Sequence, residues 1–91
     1  MFLLWTTKAE ADLIRLHEFL DPVNPDAAAR VVQQLVAAAG TLLIHPHLGR
    51  SMTQFLPDEV RRLIVGDYEM RYLVTKESLT ILRLWHTRED R

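Results

Sequence analysis

Cysteine is absent from this 91-residue chain, which excludes both a disulfide framework and a thiolate metal site. Glycine and proline are scarce, at three and four residues, so collagen-like and low-complexity readings fail. No Gly-rich phosphate loop, Gly-x-Ser-x-Gly turn or Ser-His-Asp arrangement occurs, and no cofactor is expected. The apolar start Met1-Phe2-Leu3-Leu4-Trp5 is too short for the hydrophobic region of a signal peptide. No stretch reads as the roughly 20 apolar residues of a membrane span. A basic excess is missing too: 11 Lys and Arg stand against 12 Asp and Glu, whereas phosphate neutralisation usually drives nucleic-acid binding. These absences together lead us to expect a cytoplasmic protein without membrane contact.

The 48% apolar content is that of a globular chain rather than a disordered one. The length suits one domain over residues 1–91, burying about 60–65% of the surface of the unfolded chain. Residues 1–5 suit a short strand. Thr7-Lys8-Ala9-Glu10 fits a capping box, and Leu13, Ile14, Leu16, His17 and Leu20 recur at helical spacing, predicting a helix over 8–20. Asp21-Pro22 stops it. Asn24 as N-cap, Pro25 and Asp26 open a second helix over 25–43. Residues 45–58 read as loop, after which the period changes to two. Strands are expected at 59–65, 68–74 and 79–85, joined by Gly66-Asp67 and Lys76-Glu77-Ser78. The fold class is α+β: β-α-α-β-β-β, with a helical hairpin packed on an antiparallel sheet.

Those hairpins set Val65 opposite Tyr68, Arg62 opposite Arg71, Tyr72 opposite Leu82 and Arg71 opposite Arg83. One face then carries Leu63, Val65, Tyr68, Met70, Tyr72, Leu82 and Leu84 toward the helices. The other carries Arg62, Ile64, Glu69, Arg71, Ile81, Arg83 and Trp85. Like charges opposite one another destabilise a sheet, so the arginine row is either a solvated outer face or a recognition groove. Exposed Ile and Trp ringed by arginine favour a protein partner. Among the histidines, His45 and His47 lack a third ligand before Asp58, so no metal is expected. His17 sits on the stripe of the first helix as a packing residue, and His86 ends the last strand.

Several short motifs follow one another in a set order: Thr7 to Leu20, Pro25-Asp26-Ala27-Ala28, Leu43-x-x-Pro46-x-x-Gly49-Arg50, Arg61-x-Leu63-x-Val65-Gly66, Tyr68-x-x-x-Tyr72 and Leu82-Arg83-x-x-His86-x-Arg88-x-Asp90. In order and spacing the chain resembles the RelE/ParE toxin superfamily over nearly its whole length. The resemblance implies a toxin neutralised by a cognate antitoxin whose C-terminal segment wraps around it. It also implies one of two targets. The ParE-like branch, associated with plasmid stabilisation, poisons DNA gyrase; the RelE-like branch cleaves messenger RNA on the ribosome. RelE-like enzymes work through basic side chains in the sheet groove, which here would be Arg61, Arg62, Arg83 and His86. Glu69 stands where many members carry arginine, and no tyrosine follows Tyr72. Both departures favour the gyrase inhibitor over the endoribonuclease, with a degenerate, non-toxic antitoxin-binding module as a third reading. The expected antitoxin-binding residues are Arg62, Ile64, Arg71, Ile81, Arg83, Trp85 and Arg88.

Overall fold

Two cap residues decide where the helices begin. The computed structural model describes residues 1–89; Asp90, the last residue of the closing motif, lies outside them. Strand β1 (Phe2–Trp5) leads into α1 (Thr7–Leu20). The N-cap is Thr6 rather than Thr7, its Oγ1 accepting from the Ala9 N–H at 2.9 Å. The same hydroxyl donates to the Leu82 carbonyl at 2.8 Å, so the cap also anchors the helix to the sheet. The buried positions of α1 are Ala9, Asp12 and Leu16. Ile14, expected on the buried stripe, is exposed. Helix α2 (Pro25–Ile44) opens at Asn24 as expected, with its side chain accepting from the Ala27 N–H at 3.1 Å. By length and composition α2 could cross a membrane, contrary to the sequence expectation. It packs instead as an amphipathic core helix, with Ala28, Leu35, Ala39 and Leu42 buried.

The sheet has five strands in the order β1-β5-β4-β3-β2. Strands β3 (Glu59–Val65) and β4 (Tyr68–Val74) have the predicted bounds, β5 spans Ser78–His86, and a two-residue β2 (Arg50–Ser51) lies where loop was expected. The sheet is mixed: β1 pairs parallel with β5, and all other pairs are antiparallel. Parallel pairing follows from the two-helix connection between β1 and the rest, since only a crossover of this length returns a strand in the same direction.

The β4–β5 register differs from the prediction in one place. The turn closes on Thr75 and Ser78 around two residues rather than three, with Thr75 N–H donating to the Ser78 carbonyl at 2.9 Å. A β-bulge restores the count further along, so Arg71 does pair with Arg83, but Tyr72 pairs with Ile81 and not with Leu82. A bulge turns the strand so that alternation breaks. Consecutive carbonyls there, Ile81 and Leu82, both accept from Thr6, through its N–H at 3.0 Å and its hydroxyl. Ile81 therefore faces the helices: it is fully buried with Leu35, Leu42, Met70, Tyr72 and Leu84. Its predicted place on the arginine face is wrong, and so is that of Leu82 in the core.

The core residue that organises the loop before β2 is Tyr72. Its hydroxyl donates to the Pro46 carbonyl and accepts from the Gly49 N–H, both at 2.8 Å. A Cβ on Gly49 would stand 2.6 Å from that hydroxyl and 2.7 Å from the Arg62 carbonyl, which explains glycine at this step of the Pro46-x-x-Gly49 motif.

Helix layer and sheet are also joined by a charge. β1 ends opposite Ile81, leaving the edge of β5 beyond it without a strand. Asp12 reaches this edge from α1, accepting from the Leu84 N–H at 2.9 Å, from Arg83 Nε at 2.8 Å and Nη2 at 3.1 Å, and from Arg15 Nη2 at 3.2 Å. Burial pushes the Asp12 carboxyl up, but the hydrogen bonds from Arg83, Leu84 and Arg15 outweigh it and hold it below the ordinary value.

Three outcomes are expected. Gly49→Ala should cost about 1–3 kcal/mol by overpacking, and Tyr72→Phe, which strands the Gly49 N–H, a similar ~1–3 kcal/mol; urea unfolding measures both, and unchanged midpoints would contradict the account. For Asp12 the sign follows from its depressed carboxyl. The unfolded chain protonates first, so the stabilisation is complete above the ordinary value of 3.8 and is lost as pH falls below it. Asp12→Asn should destabilise by roughly 1.5–3 kcal/mol at pH 7, and its gap from wild type should narrow toward pH 3. A gap constant with pH would exclude the charge as its source.

Candidate functional site

Cross-strand partners share a face, so the register builds the site directly. Arg50 pairs with Arg62, Arg62 with Arg71, and Arg71 with Arg83. Four arginines therefore form one row across β2, β3, β4 and β5, on the sheet face away from the helices. With strands about 4.8 Å apart, the row spans about 14 Å. Arg50 was not expected here. Its signal was present in the Gly49-Arg50 motif, but the two-residue strand is too short to show periodicity.

Such a row needs internal compensation, and the side chains supply it. Glu69, 2% exposed, lies on the same face and stands 3.6 Å from Arg62 Nη1 and 3.7 Å from Arg71 Nη2. These are ion pairs longer than hydrogen bonds. The Arg71 guanidinium lies 4.7 Å from the Trp85 ring centroid and 5.5 Å from that of Phe55. Arg83 lies 5.0 Å from the Trp85 ring centroid, so the indole bears two cations. Each such contact contributes about 0.5–2 kcal/mol, more as water is excluded. Arg71 Nε is buried with no hydrogen-bond partner among the described residues. Ile64 is the apolar member of the face open to solvent, at 52% exposure, while Trp85 is buried beneath the arginines.

The residues named for RNA cleavage do not converge. Arg61 points to the loop side, donating to Glu59 Oε2 and the Gly49 carbonyl, both at 2.7 Å; Glu59 in turn meets His47 Nδ1 at 2.7 Å. Arg83 is held by Asp12. His86 pairs with Tyr68 at the far end of the sheet, its ring edge-on to the tyrosine at 5.2 Å, and its Nδ1 accepts from the Arg88 N–H at 3.1 Å. On the arginine row Arg50 is exposed and Arg62 keeps 41% side-chain exposure, against 24% for Arg71.

Arg88 also stands apart from the row. It helps line a groove of about 660 Å³ between the end of α1 and the turn after β5, together with Leu16, Phe19, Leu20, Tyr68 and His86. An Arg15–Glu89 ion pair links the two walls. Hydrogen bonding to Arg15 holds the Glu89 carboxyl below its ordinary value. The described residues contain no cluster of metal-ligating side chains.

This chain has known relatives. Residues 3–91 match the family described as the ParE toxin of the type II toxin–antitoxin system parDE. Among curated proteins, Toxin RelE2 of Caulobacter vibrioides is 34% identical over 83 residues, covering 91% of each chain. Toxin RelE1 of the same organism is 32% identical over 88 residues, covering 97% of this chain and 95% of its own. A solved structure, the chromosomal ParDE TA system from P. aeruginosa, superposes with a TM-score of 0.78 at 27% identity, over 94% of this chain and 95% of that one. With a family match over nearly every residue and curated relatives aligned almost end to end, this chain belongs to the ParE toxin family of type II toxin–antitoxin systems.

Proposed function

We propose that this chain is a ParE-type toxin acting in the bacterial cytoplasm, held inactive by an antitoxin segment lying across the arginine face, and directed when free against DNA gyrase. The observation that carries the reading is how the face's cations are spent. Acid–base cleavage of RNA needs a base, an acid and cations free to meet the phosphate. Here Arg61 is bonded to a loop, Arg83 to Asp12, and His86 Nδ1 to a backbone amide. A carboxylate, Glu69, sits within the face. A protein segment bearing both acidic and apolar side chains suits Arg62, Arg50 and Ile64 better than a polyphosphate does. The similarity to a ParDE assembly supports the antitoxin partner.

A second reading has one observation in its favour: curated relatives at 34% and 32% identity carry the name RelE toxin. It makes the chain a ribosome-dependent endoribonuclease using Arg62 with Arg61, Arg83 and His86.

The purified protein is expected to block gyrase supercoiling and to leave linearised plasmid. Untouched supercoiling at micromolar excess, with transcripts cut in phase with codons, would establish the second reading instead. For the face, Arg71→Glu should weaken antitoxin binding more than tenfold, about 1.4 kcal/mol, as measured by titration calorimetry with circular dichroism as folding control. A folded variant that binds as wild type excludes the face.

A further inference from the structure

The arginine face contains a cation whose orientation is set from the other side of the molecule. Asp12 is 4% exposed and belongs to α1, in the helix layer, yet it takes two of the three guanidinium nitrogens of Arg83 around the open edge of β5. A carboxylate offers about four acceptor sites, and all four are filled. Oδ1 receives Arg15 Nη2 and Arg83 Nη2; Oδ2 receives Arg83 Nε and the Leu84 N–H. The carboxylate therefore has no free direction in which to turn. Arg15 is itself tied to the Leu84 carbonyl at 3.2 Å and to Glu89, so the donors are held as well as the acceptor. Arg83, gripped side-on, has its guanidinium carbon 5.0 Å from the Trp85 ring centroid.

Building on the reading of this face as the antitoxin-binding surface, we propose that Asp12 is a positioning residue for partner recognition. It fixes the direction of the Arg83 guanidinium beside Trp85 and leaves three of its five N–H donors, one on Nη2 and two on Nη1, to meet the partner. The consequence is a division of labour along the row. Of the two-pronged geometries by which arginine selects a carboxylate, the side-on one at Arg83 is already used inside the protein. A partner carboxylate can reach Arg83 only end-on, from the direction that Asp12 sets, whereas Asp12 does not touch the forks of Arg62 and Arg50. Arg83 therefore offers an end-on fork of preset direction, suited to one acidic or carbonyl group of the partner placed beside Trp85. Asp12 never touches the partner and acts only through the arginine.

The test uses the full-length protein and its cognate antitoxin. Asp12→Asn removes the charge, and Arg83→Lys keeps the cation but cannot make the side-on grip. Each should weaken antitoxin binding by about tenfold. Asp12→Asn combined with Arg83→Ala should bind no worse than Arg83→Ala alone, because the two residues act as one unit. In free toxin carrying Trp5→Phe, so that Trp85 is the emitter, Asp12→Asn and Arg83→Lys should shift the emission in the same direction, a signature that loss of stability in a folded protein does not produce. Additive losses, or wild-type affinity in folded Arg83→Lys, overturn the proposal; the second result stands even if Asp12→Asn does not fold. If Arg71→Glu and Arg83→Ala both leave affinity unchanged, the face itself is not the antitoxin surface, and the proposal falls with it.

Discussion

A carboxylate removed from water must find donors for its lone pairs, and Asp12 finds them on both layers of this protein at once. Its position is dictated by a shortfall in the sheet. β1 ends at Trp5, while β5 continues to His86, so the last residues of β5 would present open backbone groups at the edge. Asp12 covers the Leu84 N–H and Arg15 the Leu84 carbonyl, replacing a missing strand with side chains from α1. The bulge at Leu82 belongs to the same arrangement, because Thr6, the residue that caps α1, occupies two consecutive carbonyls of β5. Cap, bulge and carboxylate together fix the height and rotation of α1 over the sheet. Removing the Asp12 charge is expected to cost roughly 1.5–3 kcal/mol, more than an exposed ion pair contributes.

Four arginines on adjacent strands would repel one another in a bare sheet. This face tolerates them because each of the three beyond Arg50 has an internal counterweight. Arg62 and Arg71 share Glu69, Arg71 and Arg83 share the Trp85 ring, and Arg83 has Asp12. The resulting surface is cationic in composition but largely neutralised in effect. That explains how a chain of net charge −1 presents an arginine row, and why a mixed acidic and apolar protein segment matches it better than a run of phosphates. It also separates fold from recognition. The main apolar cluster lies between helices and sheet, so substitutions along the row leave most of the core untouched, Trp85 being buried on the other face.

The elements with strong period were legible in the sequence. α2, with its Asn24 cap and Pro25, and the hairpin of β3 and β4 around Gly66-Asp67 have their expected residues and pairing. Three members of the arginine row, Arg62, Arg71 and Arg83, were legible from the expected strand pairings, and Arg50 was not. What escaped was non-local. The bulge at Leu82 depends on Thr6, far away in sequence, and one extra residue sent Ile81 to the core. β2 is two residues long and exists only because Tyr72 pins the preceding loop through Pro46 and Gly49. Asp12 left one local trace: a carboxylate at the spacing of Ala9, Leu13 and Leu16, on the buried stripe of an amphipathic helix. An acidic residue there predicts a buried partner, but nothing nearby in sequence names Arg83.

Nuclear magnetic resonance of the arginine side chains in the free protein tests this account most directly. If Asp12 grips Arg83 as described, the Arg83 Nε–H resonance is slow to exchange with solvent and shifted downfield in wild type, and Asp12→Asn abolishes both properties. The Arg50 and Arg62 Nε–H groups exchange fast in both proteins. An Arg83 Nε–H that exchanges as fast as that of Arg62 in wild-type protein would contradict the claim that a buried helix carboxylate holds the arginine face in place.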